Sequence, residues 1–124
     1  LVKATTTRDH SYTTTPRGIA WHVQQRVLCD ALSQSSQITL REWLSGHSVA
    51  DALFRAALPP AWSIDDRTGA GGFGSRSIIA VLYPPKRKPI VVAFFMTETE
   101  ASFDRRNAAV ARIGTAVVES IGSD

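Results

Sequence analysis

The sequence predicts an α+β fold in which three helices precede a three-stranded antiparallel meander and a final helix. Two observations lead to this prediction. The 124 residues include 44% hydrophobic and 20% charged residues, which is the composition of a globular chain with a core. The apolar residues recur at helical spacing near both ends of the chain, whereas between Trp62 and Phe95 they follow strand-like patterns.

The N-terminal part of the chain is predicted to be a loop followed by a helix. Residues 1–14 are polar, rich in threonine and without periodicity. Thr15 can cap a helix with its hydroxyl, and Pro16 suits the first helical position. The apolar stripe that continues this helix consists of Ile19, Val23, Val27 and Ala31.

Two shorter helices are expected before Pro59, so that residues 15–58 form a helical region. Thr39–Glu42 has the capping-box pattern, and Ile38 could pack on Trp43 as a hydrophobic staple. This pattern predicts a helix that begins at Thr39 and stops by Gly46. A third helix is predicted to start at Ser48 and to end before the two prolines.

The three strands are predicted within residues 62–95. Trp62–Arg67 alternates between two kinds of side chain, whereas Ser77–Tyr83 and Ile90–Phe95 are apolar at nearly every position. Strands of the second kind are buried on both faces, so we expect helices on both sides of the sheet. Because Ile90–Phe95 would form a long hydrophobic edge, we also expect the sheet to continue in a segment absent from this chain. A last helix over residues 102–121 carries Phe103, Val110, Ile113, Val117 and Ile121 on one stripe.

Charge and composition exclude several classes of function. The formal charge of +3 is scattered apart from Lys86–Lys88, which lies between prolines without aromatic neighbours, so we expect no nucleic-acid partner. The longest apolar run, Ile90–Met96, is far too short to span a membrane. Cys29 is the only cysteine, and the three histidines have no zinc-site spacing, so we expect neither a metal nor a cofactor.

The glycine-rich segment Arg67–Arg76 holds the candidate chemistry. Gly69, Gly71 and Gly74 match a dinucleotide fingerprint, but a strand follows them instead of a helix, which excludes that interpretation. Alternatively, the glycines leave backbone N–H groups open to a ligand, and two guanidinium groups and the Thr68 hydroxyl converge on a carboxylate. Composition alone favours a simple hairpin whose arginines are solvated.

Four segments in order resemble class A serine β-lactamases of the carbenicillin-hydrolysing branch, from the end of the omega loop onward. Arg67–Gly74 resembles the family's Lys-Thr-Gly strand, with arginine in place of lysine. Leu53–Trp62 is similar to the family's Leu-Leu-Arg segment, and Thr13–Pro16 to the end of the omega loop. Asp104–Asn107 resembles the Glu-Arg-Asn that opens the last helix. The resemblance implies a C-terminal portion of the β-lactamase/transpeptidase-like α/β/α sandwich, with residues 1–14 as an omega-loop remnant.

The resemblance also implies roles for particular residues. The β-lactam carboxylate would be bound by the strand triad and by a supporting arginine with its neighbour, which are Arg67, Thr68, Gly69, Arg76 and Asn107. The backbone N–H of Ala70 would be one oxyanion-hole donor. Arginine keeps its charge at working pH, so Arg67 can anchor a carboxylate but cannot shuttle protons.

Other parts of the family pattern are missing from this sequence. No serine is followed three residues later by lysine, and Ser-Asp-Asn is absent. The omega-loop glutamate would lie before Leu1 or be lost, and His10–Tyr12 looks like an insertion. His47 stands where relatives often have aspartate. The expectation is therefore an enzyme that is completed by an N-terminal segment and is exported to the periplasm or secreted. Strand exchange with a second copy is the other expected partner, because it could cover the bare edge of the sheet. A truncated, non-catalytic binding module and a piece of a penicillin-binding peptidase are the alternatives.

Overall fold

A computed structural model describes residues 14–46, 51 and 53–122 of the chain. The elements are the α-helices α1 (Pro16–Val23), α2 (Gln34–Ser45) and α3 (Phe103–Gly122), a π-helical turn (Gln24–Leu28), a 3₁₀ turn (Phe54–Ala57), and the strands β1 (Ser63–Ala70), β2 (Arg76–Tyr83) and β3 (Ile90–Met96). The strands form one antiparallel sheet in the order β1-β2-β3. The predicted α+β meander is therefore confirmed.

One face of the sheet packs against α3 and the 3₁₀ turn. Its fully buried core includes Leu53, Phe54, Ile78, Leu82 and Val110. Gly114 lets α3 approach closely, because a Cβ there would lie 2.8 Å from the Phe54 ring. This face holds the larger of the two core clusters.

The opposite face packs against α1, the π-helical turn and α2. Val27, Leu44 and Val81 are buried there, with Val91 and Tyr83 beside them. Helices therefore cover both faces, as the apolar runs of the two later strands predict. β3 is an edge strand among the three described strands, and its residues are half-buried except for the more exposed Phe95.

The first predicted helix is shorter than its apolar stripe indicates. Thr15 accepts a bond from the Gly18 N–H at 3.0 Å, which confirms the predicted cap. The α-helix ends at Val23, however, and a π-helical turn leads to Leu28, so Ala31 lies outside it. The π-helical turn still directs Val27 into the core.

The predicted start of the second helix is wrong. α2 begins five residues earlier than Thr39, at Gln34, and Ser33 caps it by accepting from the Ser36 N–H at 3.3 Å. Within that helix the Thr39 hydroxyl donates to the Ser35 carbonyl, so it satisfies a bond inside the helix instead of capping it. The predicted end is confirmed, since Gly46 is the C-cap.

The third predicted helix appears within the described residues as the 3₁₀ turn Phe54–Ala57, which ends before the prolines. Its proposed cap, Ser48, lies outside the described residues, as do His10–Tyr12, His47 and nearly all of the expected omega-loop remnant. The strands extend slightly beyond their predicted ends. β1 reaches Ala70 because it pairs with Arg76, and the last helix begins at Phe103 with Ser102 as its cap.

Candidate functional site

The predicted oxyanion donor lies at the open edge of β1. Ala70 is exposed and pairs with Arg76 across the sheet. The Gly71 N–H donates to the Ser75 carbonyl at 3.4 Å, so the neighbouring Ala70–Arg76 pair is of the type without hydrogen bonds between its members. In such a pair the backbone N–H groups point away from the partner strand, so the Ala70 N–H faces the outer edge of β1.

Arg76 lies under this edge and is 2% exposed. Its Nε donates to the Asn107 Oδ1 at 2.8 Å, and its Nη1 donates to the Gly69 carbonyl at 2.9 Å. Burial, and secondly the positive charge of Arg106, lower the pKa of Arg76 below the ordinary arginine value. Arg76 thus ties β1 to α3.

Arg67 extends from the other face of the same strand. Its Nη1 lies 3.4 Å from the Gly46 carbonyl and 3.3 Å from the Asp66 carbonyl, and it donates to both. A cation at the C-terminus of α2 is favoured by the helix dipole. Arg67 as a whole is half-buried at this edge of the sheet.

Side-chain alternation along β1 separates the two guanidinium groups. Thr68 pairs with Ile78 and Ala70 with Arg76, so Thr68, Ala70 and Arg76 share the face that packs against α3. Arg67 faces α2. The structure therefore brings Thr68, Arg76 and Asn107 to one face, and Arg67 can meet a ligand with them only across the edge of β1.

Gly69 has a local reason to be glycine. A Cβ at this position would lie 2.7 Å from the Ser77 Oγ on the neighbouring strand. A side chain here would displace either the serine or the β1 backbone, which carries the predicted donor at the next residue. The glycine thus preserves the close approach of the two strands.

A buried ion pair supports β1 from the face of α3. Asp66 is fully buried, and its Oδ1 accepts from the Arg55 Nε at 2.8 Å and lies 2.5 Å from the Arg55 Nη2. Burial raises the pKa of Asp66 above its usual value, although the charge of Arg55 acts in the opposite direction. The pair joins the 3₁₀ turn to the strand immediately before Arg67.

A second buried carboxylate supports β1 from the face of α2. Asp65 Oδ2 accepts from the Tyr83 hydroxyl at 2.7 Å and from the Arg41 Nε at 3.2 Å. The Arg41 guanidinium also lies over the Tyr83 ring, 4.9 Å from its centroid. Burial, and then Asp65, raise the pKa of Tyr83, so its hydroxyl remains a donor at neutral pH. Asp65 and Asp66 point to opposite faces, as predicted, and do not form a catalytic pair.

The hairpin after β1 is fixed by a second loop. The Glu98 N–H donates to the Phe73 carbonyl at 2.7 Å. Phe73 and Gly74 both have positive φ, at 54° and 66°, and a Cβ on Gly74 would lie 1.9 Å from the Thr99 carbonyl oxygen. Glycine is therefore required at Gly74 by both conformation and space.

The sequence suggested no role in the site for two further residues, Phe103 and Arg106, although Arg106 lies in the segment that resembles the family's Glu-Arg-Asn. The Arg106 Nη1 donates to the Ser75 carbonyl at 3.2 Å, and both arginines of this face lie over the Phe103 ring. The helical spacing of Phe103 suggested a core residue, but it is 42% exposed. A contact between the first turn of a helix and a hairpin residue 31 positions earlier leaves no local sequence signal.

Across residues 14–46, 51 and 53–122, no group of three or more histidine, cysteine or acidic residues could hold a metal ion. None of the helices in those ranges has the length and hydropathy needed to cross a membrane. What the site offers is fixed cationic side chains, hydroxyls and backbone N–H groups along an exposed strand edge. Such an edge suits an anionic ligand.

An edge strand with an Arg-Thr-Gly triad, in a sheet covered by helices on both faces, is the arrangement that the sequence motifs of the β-lactamase family predict. The model of the β-lactamase enzyme family matches residues 1–121. The chain therefore belongs to the β-lactamase enzyme family, as its sequence motifs indicate. Its fold matches that of the class A enzymes: it superimposes on an ancestral class A β-lactamase with a TM-score of 0.88 and 41% identity, over 93% of this chain and 44% of that one.

Individual relatives are β-lactamases as well. The chain is 47% identical to β-lactamase AER-1 of Aeromonas hydrophila over 109 residues, which are 88% of this chain and 36% of the relative. It is 40% identical to β-lactamase PSE-4 of Pseudomonas aeruginosa, over 86% of this chain and 37% of the relative. The chromosome-encoded β-lactamase of Vibrio parahaemolyticus superimposes with a TM-score of 0.90 at 33% identity, over 96% of this chain and 45% of that one. The chain thus spans little more than a third of the length of these curated relatives.

Proposed function

We propose that this chain is part of a serine β-lactamase, in which it supplies the strand that binds the substrate carboxylate and one donor of the oxyanion hole. The observation that carries this proposal is the anchored edge of β1. The Ala70 N–H faces outward, while Arg76 and Asn107 hold the preceding carbonyl in place. A donor to the oxyanion lowers the barrier most when it is held in place before the reaction. The bonds of Arg76 hold the backbone next to the Ala70 N–H in this way.

The proposed ligand contacts follow from the side chains at this edge. The Arg67 guanidinium and the Thr68 hydroxyl would bind the carboxylate of the β-lactam, and Gly69 keeps the strand free of bulk beside it. Charge-assisted bonds of this kind are among the stronger ones in proteins. Arg76, which is buried, would support the contact from below instead of meeting the ligand directly.

The chemical step needs groups from outside this sequence. A serine hydroxyl would attack the lactam carbonyl, and the Ala70 N–H would stabilise the oxyanion of the tetrahedral intermediate. Cleavage of the C–N bond would leave an acyl-enzyme ester and a protonated ring nitrogen. Water would then hydrolyse the ester and release the serine. The sequence has no Ser-Xaa-Xaa-Lys, so the nucleophile would come from an N-terminal segment and not from a second copy of this chain.

The open edge of β3 supports the proposal of a completing segment. Its half-buried apolar residues, with Phe95 at 37% exposure, suit pairing with another strand. As a member of an enzyme family that acts on an antibiotic outside the cytoplasm, the completed protein would work in the periplasm or outside the cell.

The test is hydrolysis of a chromogenic cephalosporin by the chain alone and by the chain mixed with the part of AER-1 that lies outside the matched region. Activity is expected only in the mixture. In that mixture Arg67→Gln should lower kcat/KM between about tenfold and a hundredfold, since a hydrogen bond from a charged donor to a carboxylate contributes about 1.5–3 kcal/mol. Arg112→Gln, which removes the same charge from an exposed position on α3, is the matched control and should change little.

Absence of activity in a mixture that demonstrably forms a complex would refute the enzymatic proposal. The non-catalytic binding module would then be the better hypothesis. Equal effects of the two arginine substitutions would instead show that Arg67 contributes only net charge.

A further inference from the structure

The first turn of α3 contacts the β1–β2 hairpin at a second point besides Arg76. The Arg106 Nη1 donates to the Ser75 carbonyl at 3.2 Å. The same carbonyl accepts from the Gly71 N–H at 3.4 Å, the bond that closes the hairpin directly after Ala70. Arg106 therefore fixes the Ser75 carbonyl, and this carbonyl in turn binds the N–H of Gly71, the residue after Ala70.

The two arginines fix the backbone on both sides of Ala70. Arg76 binds the Gly69 carbonyl before it, and Arg106 binds the acceptor of the Gly71 N–H after it. Both guanidinium groups lie against α3, one bound to Asn107 and the other extending from the helix itself. Both contacts that fix the backbone around the Ala70 N–H therefore depend on one helix, α3.

The Phe103 ring stabilises this pair of like charges. The guanidinium carbon of Arg76 lies 5.3 Å from the ring centroid and that of Arg106 lies 5.7 Å away. In the described part of the chain neither arginine forms a salt bridge. A cation within about 6 Å of an aromatic face is attracted by the ring quadrupole, so Phe103 supplies favourable electrostatics where a carboxylate is missing.

We infer that Arg106 and Phe103 are positioning residues for the oxyanion donor, acting through the Ser75 carbonyl and the Arg76 guanidinium. The inference rests on the proposed function in assigning the Ala70 N–H to the oxyanion hole. Removal of Arg106 takes away one donor to the Ser75 carbonyl and leaves Arg67 and Thr68 unchanged. The effect is therefore expected on kcat, where the oxyanion forms, with little change in KM.

The experiment compares Arg106→Gln, Arg106→Lys and Arg105→Gln in the completed enzyme. Arg105 lies one residue earlier on the same helical turn, is exposed and has no described side-chain contact, so it is the matched control for charge. Arg106→Gln should lower kcat about tenfold while KM changes less than twofold. Arg106→Lys should restore most of the rate, because lysine can still donate to the Ser75 carbonyl.

A second measurement does not depend on hydrolysis. Amide hydrogen exchange of the ¹⁵N-labelled chain in the same complex should show the Gly71 N–H exchanging about tenfold faster in Arg106→Gln and unchanged in Arg105→Gln. If the wild-type complex hydrolyses nothing, the proposed function fails and the exchange at Gly71 alone decides the positioning role.

Equal kcat and equal Gly71 exchange in Arg106→Gln and Arg105→Gln would overturn the inference. If Arg106→Gln does not fold, Phe103→Leu replaces it, because this side chain is 42% exposed and outside the core. Loss of the ring should lower kcat about threefold. An unchanged kcat in that variant would also count against the inference.

Discussion

The buried pair Arg55–Asp66 allows a test in which stability depends on pH in a defined direction. Asp66 is fully buried, whereas the Arg55 side chain keeps 21% exposure. Replacing Arg55 by glutamine leaves the carboxylate buried without its counter-ion. Breaking a buried pair in this way costs about 3–5 kcal/mol, and the residual exposure of Arg55 places the expected loss near the lower end, about 3 kcal/mol at pH 7.

The pH dependence follows from the pKa of Asp66. Burial already raises this pKa, and removal of Arg55, which lowers it, raises it further. A carboxyl whose pKa is higher in the folded protein binds a proton more readily there. Its stabilisation is complete below the unfolded-state pKa and is lost as pH rises through the folded-state value. The destabilisation caused by Arg55→Gln should therefore shrink by about 1–2 kcal/mol between pH 7 and pH 5.

Urea unfolding of wild type and variant at both pH values measures this difference, and contributions that the two proteins share cancel. Asp51→Asn is the matched control, since this exposed partner lies 3.9 Å from Arg55 and should contribute less than about 0.5 kcal/mol. The double variant Arg55→Gln/Asp66→Asn should regain stability and lose the pH dependence. A loss for Arg55→Gln that is equal at pH 5 and pH 7 would refute the reasoning.

Three further predictions concern backbone and packing, each measured by urea unfolding. Gly74→Ala should destabilise the chain by more than about 2 kcal/mol, because its Cβ would meet the Thr99 carbonyl at a positive φ, whereas Gly72→Ala, with open space around it, should change stability by less than about 1 kcal/mol. Tyr83→Phe should cost about 1–2 kcal/mol, because Asp65 loses its shortest hydrogen bond; no change would show that Arg41 and water replace it. Gly114→Ala should cost about 1–3 kcal/mol through overpacking against Phe54, and a neutral result would mean that α3 shifts freely.

The strands could be predicted from the sequence because their signal is strong and local. Ser77–Tyr83 and Ile90–Phe95 are apolar on both faces, and helices do cover both sides of the sheet. The start of α2 was mispredicted for a physical reason. Thr39–Glu42 has a genuine capping pattern, but a threonine hydroxyl can equally bond the carbonyl four residues earlier. The Ser33 cap, which accepts from the Ser36 N–H, shows that the helix begins before this pattern.

For the candidate site, the sequence suggested candidate residues but not the face of the sheet on which each one lies. Adjacent residues on a strand point to opposite sides, so Arg67 lies against α2 and Thr68 against α3. Whether Arg76 lies on the α2 face with Arg67 or on the α3 face with Thr68 depends on the register of β1 against β2. That register depends on the number of loop residues between Ala70 and Arg76. A glycine-rich loop permits several lengths and turn types, so its pattern alone does not fix that register.

The same register explains why three residues of α3, which are Phe103, Arg106 and Asn107, lie beside the candidate site. Once Arg76 faces α3, its guanidinium needs acceptors in a place where burial excludes water, and Asn107 and the Gly69 carbonyl provide them. The cost of burying this charge falls further because the Phe103 ring lies against it, and the same ring accepts Arg106. An edge strand is otherwise the most mobile part of a sheet. Here β1 is held by the buried Arg76 guanidinium on one face and by the end of α2 on the other, and this anchoring fixes the direction of the outward Ala70 N–H.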